Sequence, residues 1–347
     1  MATKSLLCVG DLFLPSKDMK DFFSRELQGY GIETSYRDLS TKSFDDLQKM
    51  LLNIEKRGPH AIELPEDLRD QMINSDLLIV HYCPVPSSVI NKSVRLRFIG
   101  CLRGGYENID VNSAKNRGII VVNAPGRSSN AVAEFTIGLM IAEGRNIARG
   151  HHFLHKGEWR KYYLNDPYRS ELKDQIIGII GFGKIGSNVA EKLQAFGVKR
   201  ILVFDPLIPN NIILNKGCEP ADLETLCRVS DFITIHARLT KDSEKMINKE
   251  LISLMKPTAY LINTARAGLI DNAALYEALR NKTIGGAALD VFDIEPLPPD
   301  SPWLELENVT LTPHLAGDTR NTRINSMLII KEEIEHYLRG EPLSHQI

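Results

Sequence analysis

The chain has 347 residues, 43% hydrophobic and 25% charged, with a formal net charge of −2. That length accommodates two domains with a core each, and the near-balance of charge gives no reason to expect nucleic acid or an anionic membrane as a partner. No apolar run approaches the roughly 20 residues needed to span a bilayer, and the five cysteines, odd in number and without a Cys-x-x-Cys spacing, point to reduced thiols in a cytoplasmic protein.

The opening segment MATKSLLCVGDLFLP is too short in its apolar part, and lacks the small-residue cleavage site, for a secretory signal; it is expected to be a first strand. Apolar runs then stand at Leu6 to Val9, Ile32 to Tyr36, Leu77 to Val80, Phe98 to Leu102 and Ile119 to Val122, separated by helical stretches such as Ser43 to Arg57. Strands alternating with helices predict a parallel sheet covered on both faces, and these five suffice for one small doubly wound sheet. From Asn123 the pattern changes. Ala131 to Glu143 is a long apolar-rich helical stretch that continues toward Trp159, with no strand until Ile176. It carries too much apolar surface for a linker, so it is expected to be an interdomain spine or an oligomer contact. A second doubly wound unit follows, with strands at Ile176 to Ile180, Arg200 to Phe204, Phe232 to His236, Ala259 to Asn263, Gly286 to Asp290 and Val309 to Leu311. The last helix, about Arg320 to Leu338, sets Ile324, Met327, Leu328, Ile334 and Leu338 on one apolar face. Nothing of the second sheet is left for that face to cover.

The most telling stretch is IIGIIGFGKIGSNVAEKLQAFGVKRILVFD, residues 176–205. A short buried-strand pattern feeds directly into Gly-x-Gly-x-x-Gly, then a helix, a second strand and a terminal acid, which is the order a dinucleotide site requires. Gly181 permits the tight turn, Gly183 lets a pyrophosphate approach the backbone, and Gly186 lets the helix pack on the strand; Lys184 and Ile185 complete the cofactor loop. Asp205 can accept hydrogen bonds from an adenosine ribose. Its carboxylate suits a 2′-hydroxyl and repels a 2′-phosphate, and the residues that follow, Pro206 to Asn210, offer no lysine or arginine in compensation. NAD is therefore expected rather than NADP.

In a doubly wound sheet, ligands bind beyond the carboxyl ends of the strands, so the polar residues just past each strand are the ones to weigh. INTARAGLID, GAALDVFDIEPL and LTPHLAG stand there, in that order after GFGKIG. With RGGYENIDVNSAKNRGIIVVNAPGRSSNAVAE at 103–134, these motifs closely resemble the NAD-dependent D-2-hydroxyacid dehydrogenases, the group that includes 3-phosphoglycerate dehydrogenase and hydroxypyruvate reductase. The resemblance covers nearly the whole chain. It implies two doubly wound α/β domains: a Rossmann NAD-binding domain at 125–316, and a discontinuous flavodoxin-like substrate domain made of 1–124 and a return segment at 317–347. It also implies that Arg266 binds the substrate carboxylate and 2-oxygen, that His314 is the acid/base, that Glu295 partners His314, and that Asp290 holds the nicotinamide carboxamide. Relatives pair two subunits through the segment equivalent to Ala131 to Trp159, so a symmetric homodimer is expected.

Elementary chemistry agrees with those roles. Reducing a 2-oxo acid puts hydride on C2 and a proton on its oxygen, which calls for a donor that titrates near neutrality, as histidine does. A carboxylate at Glu295 would hold the ring and favour its protonated form. Arginine's planar fork matches a carboxylate where lysine would not. Taken singly, any of these residues would more often be a surface or ion-paired side chain; standing together at strand ends they carry the assignment. His236, which ends a strand, is a further candidate for touching cofactor. No cluster has metal-ligand spacing, so no metal is assigned.

Two departures from the family pattern stand out. Arg238 occupies a position where relatives usually have proline. The substrate loop reads Arg103-Gly104-Gly105-Tyr106-Glu107 in place of a Gly-x-Gly, and His81 stands where phosphoglycerate-type members tend to place arginine. The amides of Gly104 and Gly105 can still meet a carboxylate. Arg103 beside them reads as a surplus cation, which suggests a substrate with a second anionic group. The competing reading is an NAD(H)-sensing binding protein or corepressor on the same fold, since a fold does not fix function.

Overall fold

The computed structural model describes residues 3–347. The chain divides into two compact units, one running to Ser128 and resuming at Thr319–Ile347, the other spanning Ser129–Asp318.

The first unit is built on five parallel strands, β1 (Lys4–Gly10), β2 (Ile32–Asp38), β3 (Leu77–Val80), β4 (Phe98–Cys101) and β5 (Ile120–Val122), in the order β2-β1-β3-β4-β5. This is the flavodoxin-like arrangement. Central strands such as LLIV and FIGC are buried along their whole length, as a parallel sheet covered on both faces demands. One face is covered by Leu47, Met50 and Ile54 of the helix Phe44–Arg57, whose start is fixed by Ser43: its hydroxyl accepts the Asp46 amide. The other face receives Met19 and Phe23 of the helix Ser16–Glu26, and Met327, Ile330 and Ile334 of the terminal helix Arg320–Arg339. That contact explains a glycine inside β4, because a Cβ on Gly100 would stand 2.7 Å from Cγ2 of Ile330. Of the apolar face expected for the last helix, Met327, Ile334 and Leu338 are thus spent on the first sheet, whereas Leu328 is 41% exposed.

The second unit holds seven parallel strands, β6 (Ile176–Ile180), β7 (Arg200–Phe204), β8 (Glu219–Pro220), β9 (Phe232–Ile235), β10 (Tyr260–Asn263), β11 (Gly286–Leu289) and β12 (Val309–Leu311), in the order β12-β11-β10-β9-β6-β7-β8. The two-residue β8 was not expected from the sequence. Its proline confines it to the sheet edge, where no ladder amide is missed. The strand order reverses between β6 and β9, which creates the crevice where such sheets bind ligands.

The single long helix expected from Ala131 toward Trp159 is two helices, Ser129–Gly144 and Ile147–His155. They are separated at Asn146, which adopts a left-handed conformation (φ 58°) that asparagine tolerates better than most residues. The apolar side chains of the first helix are largely consumed within the unit: Ala133, Ile137 and Met140 pack with Ile177, Ile179 and Ile262. Only beyond the break do large apolar side chains remain exposed. All five cysteines are buried and free, and no helix among the described residues is long and apolar enough to cross a membrane.

Candidate active site

The dinucleotide loop forms where β6 ends. Gly181 has φ 91°, and a Cβ there would lie 2.6 to 2.7 Å from the backbone joining His236 to Ala237 at the end of β9, so this turn excludes any side chain. A Cβ on Gly186 would overlap the carbonyl oxygen of Gly181, which is why the helix Lys184–Ala195 can start so close to its strand. Gly183 differs. Its φ of −71° suits any residue, and no atom lies within 4 Å of the position a Cβ would take. The protein itself does not require glycine there; the bare backbone leaves open space at a helix N-terminus, the place for an anion.

Asp205, just past β7, accepts the Phe182 amide of the loop at 2.6 Å on one oxygen and the Leu207 amide at 2.9 Å on the other. Each oxygen retains a lone pair for the two hydroxyls of a ribose. His236 is a wall of the glycine turn. Its Nε2 lies 3.0 Å from Thr234 Oγ1, its Nδ1 is buried without a partner, and burial pushes its pKa down to about 3. The ring is therefore neutral and contributes no positive charge towards a phosphate. The open ground at Gly183, the helix N-terminus, the carboxylate at Asp205 and the absence of lysine or arginine at 206–210 together fit NAD.

Three neighbouring strands supply the second cluster. β10, β11 and β12 are parallel and adjacent, so the residues following them emerge at one edge. Asn263, the buried last residue of β10, accepts the Ala265 amide at 3.0 Å and donates to the Arg266 carbonyl at 2.9 Å, which folds the arginine-bearing turn back on its strand. The Arg266 guanidinium is exposed and donates to the Ala265 carbonyl at 2.8 Å. After β12, His314 adopts a left-handed backbone (φ 54°), and its Nδ1 lies 2.8 Å from Glu295 Oε2. Glu295 is itself held, its other oxygen accepting the Phe292 amide at 3.0 Å. Because Nδ1 faces a carboxylate, Nδ1 carries the proton in the neutral ring and Nε2 is the nitrogen left to exchange one. Asp290, just past β11, is fully buried and both its oxygens accept hydrogen bonds from the His314 turn.

Arg103, Gly104 and Gly105 belong to the first unit, in the turn after β4. The Gly104 and Gly105 amides donate to no acceptor among the described residues, and Gly104 is exposed. Arg103 corrects the expectation made of it. The residue is 6% exposed, its guanidinium lies 4.5 Å from the centre of the Tyr82 ring, and Glu55 and Glu107 each approach it at 3.7 Å, while Asn108 accepts from it at 3.4 Å. It is not a surplus cation, so its burial is no argument for a second anionic group on a substrate. His81 is likewise a core residue, 2% exposed, with Nδ1 2.9 Å from the buried Asp11. Sequence reasoning missed Asn263 and Thr312. Both are short polar residues at the end of an apolar run inside a motif, and that position was the available signal.

A family model described as "D-isomer specific 2-hydroxyacid dehydrogenase, NAD binding domain" matches residues 137–316. The chain is 43% identical over 279 residues to a D-3-phosphoglycerate dehydrogenase of Methanocaldococcus jannaschii, covering 80% of this chain and 52% of that protein. It is 38% identical over 295 residues to a glyoxylate reductase of Thermofilum pendens, covering 82% and 83%. Among solved structures, an acyclic imino acid reductase in complex with NADPH and D-Arg superimposes with a TM-score of 0.76 at 31% identity, covering 99% of both chains. The chain spans a little over half the length of the phosphoglycerate dehydrogenases it matches first.

Proposed function

Since the chain belongs to the D-isomer specific 2-hydroxyacid dehydrogenase family, with its NAD-binding domain at 137–316, we propose that it interconverts a small 2-oxo acid and the corresponding D-2-hydroxy acid with NAD(H). The observation that carries this reading is the His314–Glu295 pair at 2.8 Å, set at the same sheet edge as the Arg266 turn. Bound NADH supplies the hydride. Arg266 binds the substrate carboxylate and polarises the C2 oxygen. The Gly104 and Gly105 amides of the first unit, which donate to no acceptor among the described residues, are proposed as substrate-binding donors. As C2 is reduced, Nε2 of protonated His314 gives its proton to the oxygen, and the ring ends neutral with Nδ1–H still directed at Glu295. In the oxidative direction the neutral Nε2 takes that proton back.

Gly181, Gly183, Lys184, Ile185 and Gly186 are proposed to cradle the pyrophosphate and Asp205 the adenosine ribose, with His236 as a neutral wall of that turn. The second anionic group suggested by Arg103 is not part of the proposal. A symmetric homodimer is proposed through the segment after the helix break, where Ile147, Leu154, Trp159 and Tyr162 are exposed, the last two above 80%. The functional test is a panel of 2-oxo acids, with and without a phosphate, followed by NADH absorbance. Turnover of at least one, yielding the D-hydroxy acid, is expected; tight NADH binding with no turnover across the panel would favour a sensor.

A further inference from the structure

The substrate loop after β4 is aimed from behind. The Ala124 amide donates to the Arg103 carbonyl at 2.8 Å, and the Asn123 side-chain amide donates to the Gly104 carbonyl at 2.6 Å. These carbonyls belong to the two peptide units whose N–H groups are those of Gly104 and Gly105. Both units are trans, so each N–H points opposite to its carbonyl. Bonding the carbonyls to residues 123–124 therefore turns the two amides away from that segment, where they meet no acceptor among the described residues. One of the two anchors is a backbone bond; the other is the buried Asn123 side chain.

Asn123 is held in turn. Residues 345–347 run antiparallel along β5, the edge strand of the first sheet, with Val122 bridged to Gln346. The Asn123 amide donates to the His345 carbonyl at 3.3 Å, and the Ile347 amide to the Val121 carbonyl at 2.9 Å. What fastens this segment is Glu333 of the terminal helix. Its carboxylate is buried, accepts the Ser344 amide at 3.2 Å on each oxygen, and stands 2.9 Å from His345 Nδ1. A buried carboxylate is costly unless its oxygens are occupied, and residues 344 and 345 occupy both.

We infer that Asn123 is a positioning residue for the substrate loop, and that residues 344–347, gripped by Glu333, are the strap that keeps it in place. This rests on the proposal that the Gly104 and Gly105 amides bind substrate. Donors aimed at a group that keeps its charge throughout hydride transfer stabilise ground state and transition state alike, so loosening them raises KM and spares kcat.

The test uses three variants of the otherwise intact chain: Glu333→Gln, which keeps one acceptor oxygen for the strap, deletion of residues 344–347, and Asn123→Ala. KM for the best 2-oxo acid should rise by about threefold in Glu333→Gln and about tenfold in the other two, with kcat and the Kd for NADH within about twofold of wild type. Hydrogen–deuterium exchange at the Ala124 amide, which is bonded to the loop and not to the strap, should quicken by about tenfold in the deletion variant. A wild-type KM in Asn123→Ala or in the deletion variant would overturn the inference, as would NADH affinity that falls in step with affinity for the 2-oxo acid, the mark of a general loosening. Should the deletion variant not fold, an unchanged KM in Glu333→Gln would overturn it instead. If the wild-type chain turned over no 2-oxo acid, the functional proposal would fall, while exchange at Ala124 would still decide whether the strap holds the loop.

Discussion

Glu143 is an unusual carboxyl. It lies in the first helix of the second unit with no exposed surface, where it accepts Thr310 Oγ1 at 2.6 Å from β12 and is paired with Arg149. Gly286 of β11 is a glycine partly for its sake, since a Cβ there would run into the Glu143 carboxylate. Burial pushes its pKa up to about 7 against an ordinary 4.5, and Arg149 and Thr310 pull it back only in part. Because the folded pKa lies above the unfolded one, the native state binds the proton more tightly. The group's contribution to stability is fully present below about pH 4.5 and is lost as the pH rises through about 7. At about 1.4 kcal/mol per pH unit of difference, that loss is about 3 kcal/mol across the window. Glutamine keeps the shape and an acceptor for Arg149 or Thr310, but does not titrate. Urea denaturation of the wild type and Glu143→Gln at steps from pH 5 to pH 8 should therefore give stability curves that diverge, the wild type losing about 3 kcal/mol relative to the variant by pH 8. Parallel curves would mean that Glu143 is already ionised at pH 5 and that Arg149 outweighs its burial.

Other expectations follow from the cofactor loop and the surface. NADH should outperform NADPH by about tenfold or more in kcat/KM, and Asp205→Ala should narrow the gap; equal use of both by the wild type would refute the role given to Asp205. Gly183→Ala should weaken NADH binding with little change in Tm, because a Cβ there meets only open space, whereas Gly181→Ala should lower Tm by several degrees because its φ and its neighbours both reject a side chain. If both variants lost NADH affinity and stability together, the distinction between a ligand-imposed and a fold-imposed glycine would fail. Sedimentation at micromolar concentration should give a dimer of the 39.0 kDa chain, and Trp159→Asp should shift it toward monomer; a wild-type monomer would contradict the proposed interface.

Much of the fold was legible because buried parallel strands write themselves as short apolar runs bounded by turn residues. Ile176–Ile180 and Leu77–Val80 match their runs residue for residue. The residues proposed for the chemistry stood out for a related reason: past the strand ends, an arginine, a glutamate and a histidine sit in ordered motifs. What escaped was set by contacts distant in sequence. The helix break at Asn146 is bridged by Asn165, 19 residues later, whose side chain accepts from the Asn146 side-chain amide at 2.6 Å and donates to the Gly144 carbonyl at 3.1 Å. The pairing of Arg103 depends on Glu55, 48 residues earlier, and no local pattern announces it. The three hydrogen bonds that Asp290 accepts come from residues 22 to 26 positions later, so a resemblance could suggest that the aspartate matters without saying what it touches.

The central claim is that the His314–Glu295 pair moves the substrate proton. Single-turnover reduction of the best 2-oxo acid by His314→Ala, with NADH binding measured in the same samples, tests it most directly. The account predicts a loss of about a hundredfold or more in the hydride-transfer rate with NADH affinity nearly intact. A His314→Ala protein that reduces substrate at the wild-type rate would contradict it.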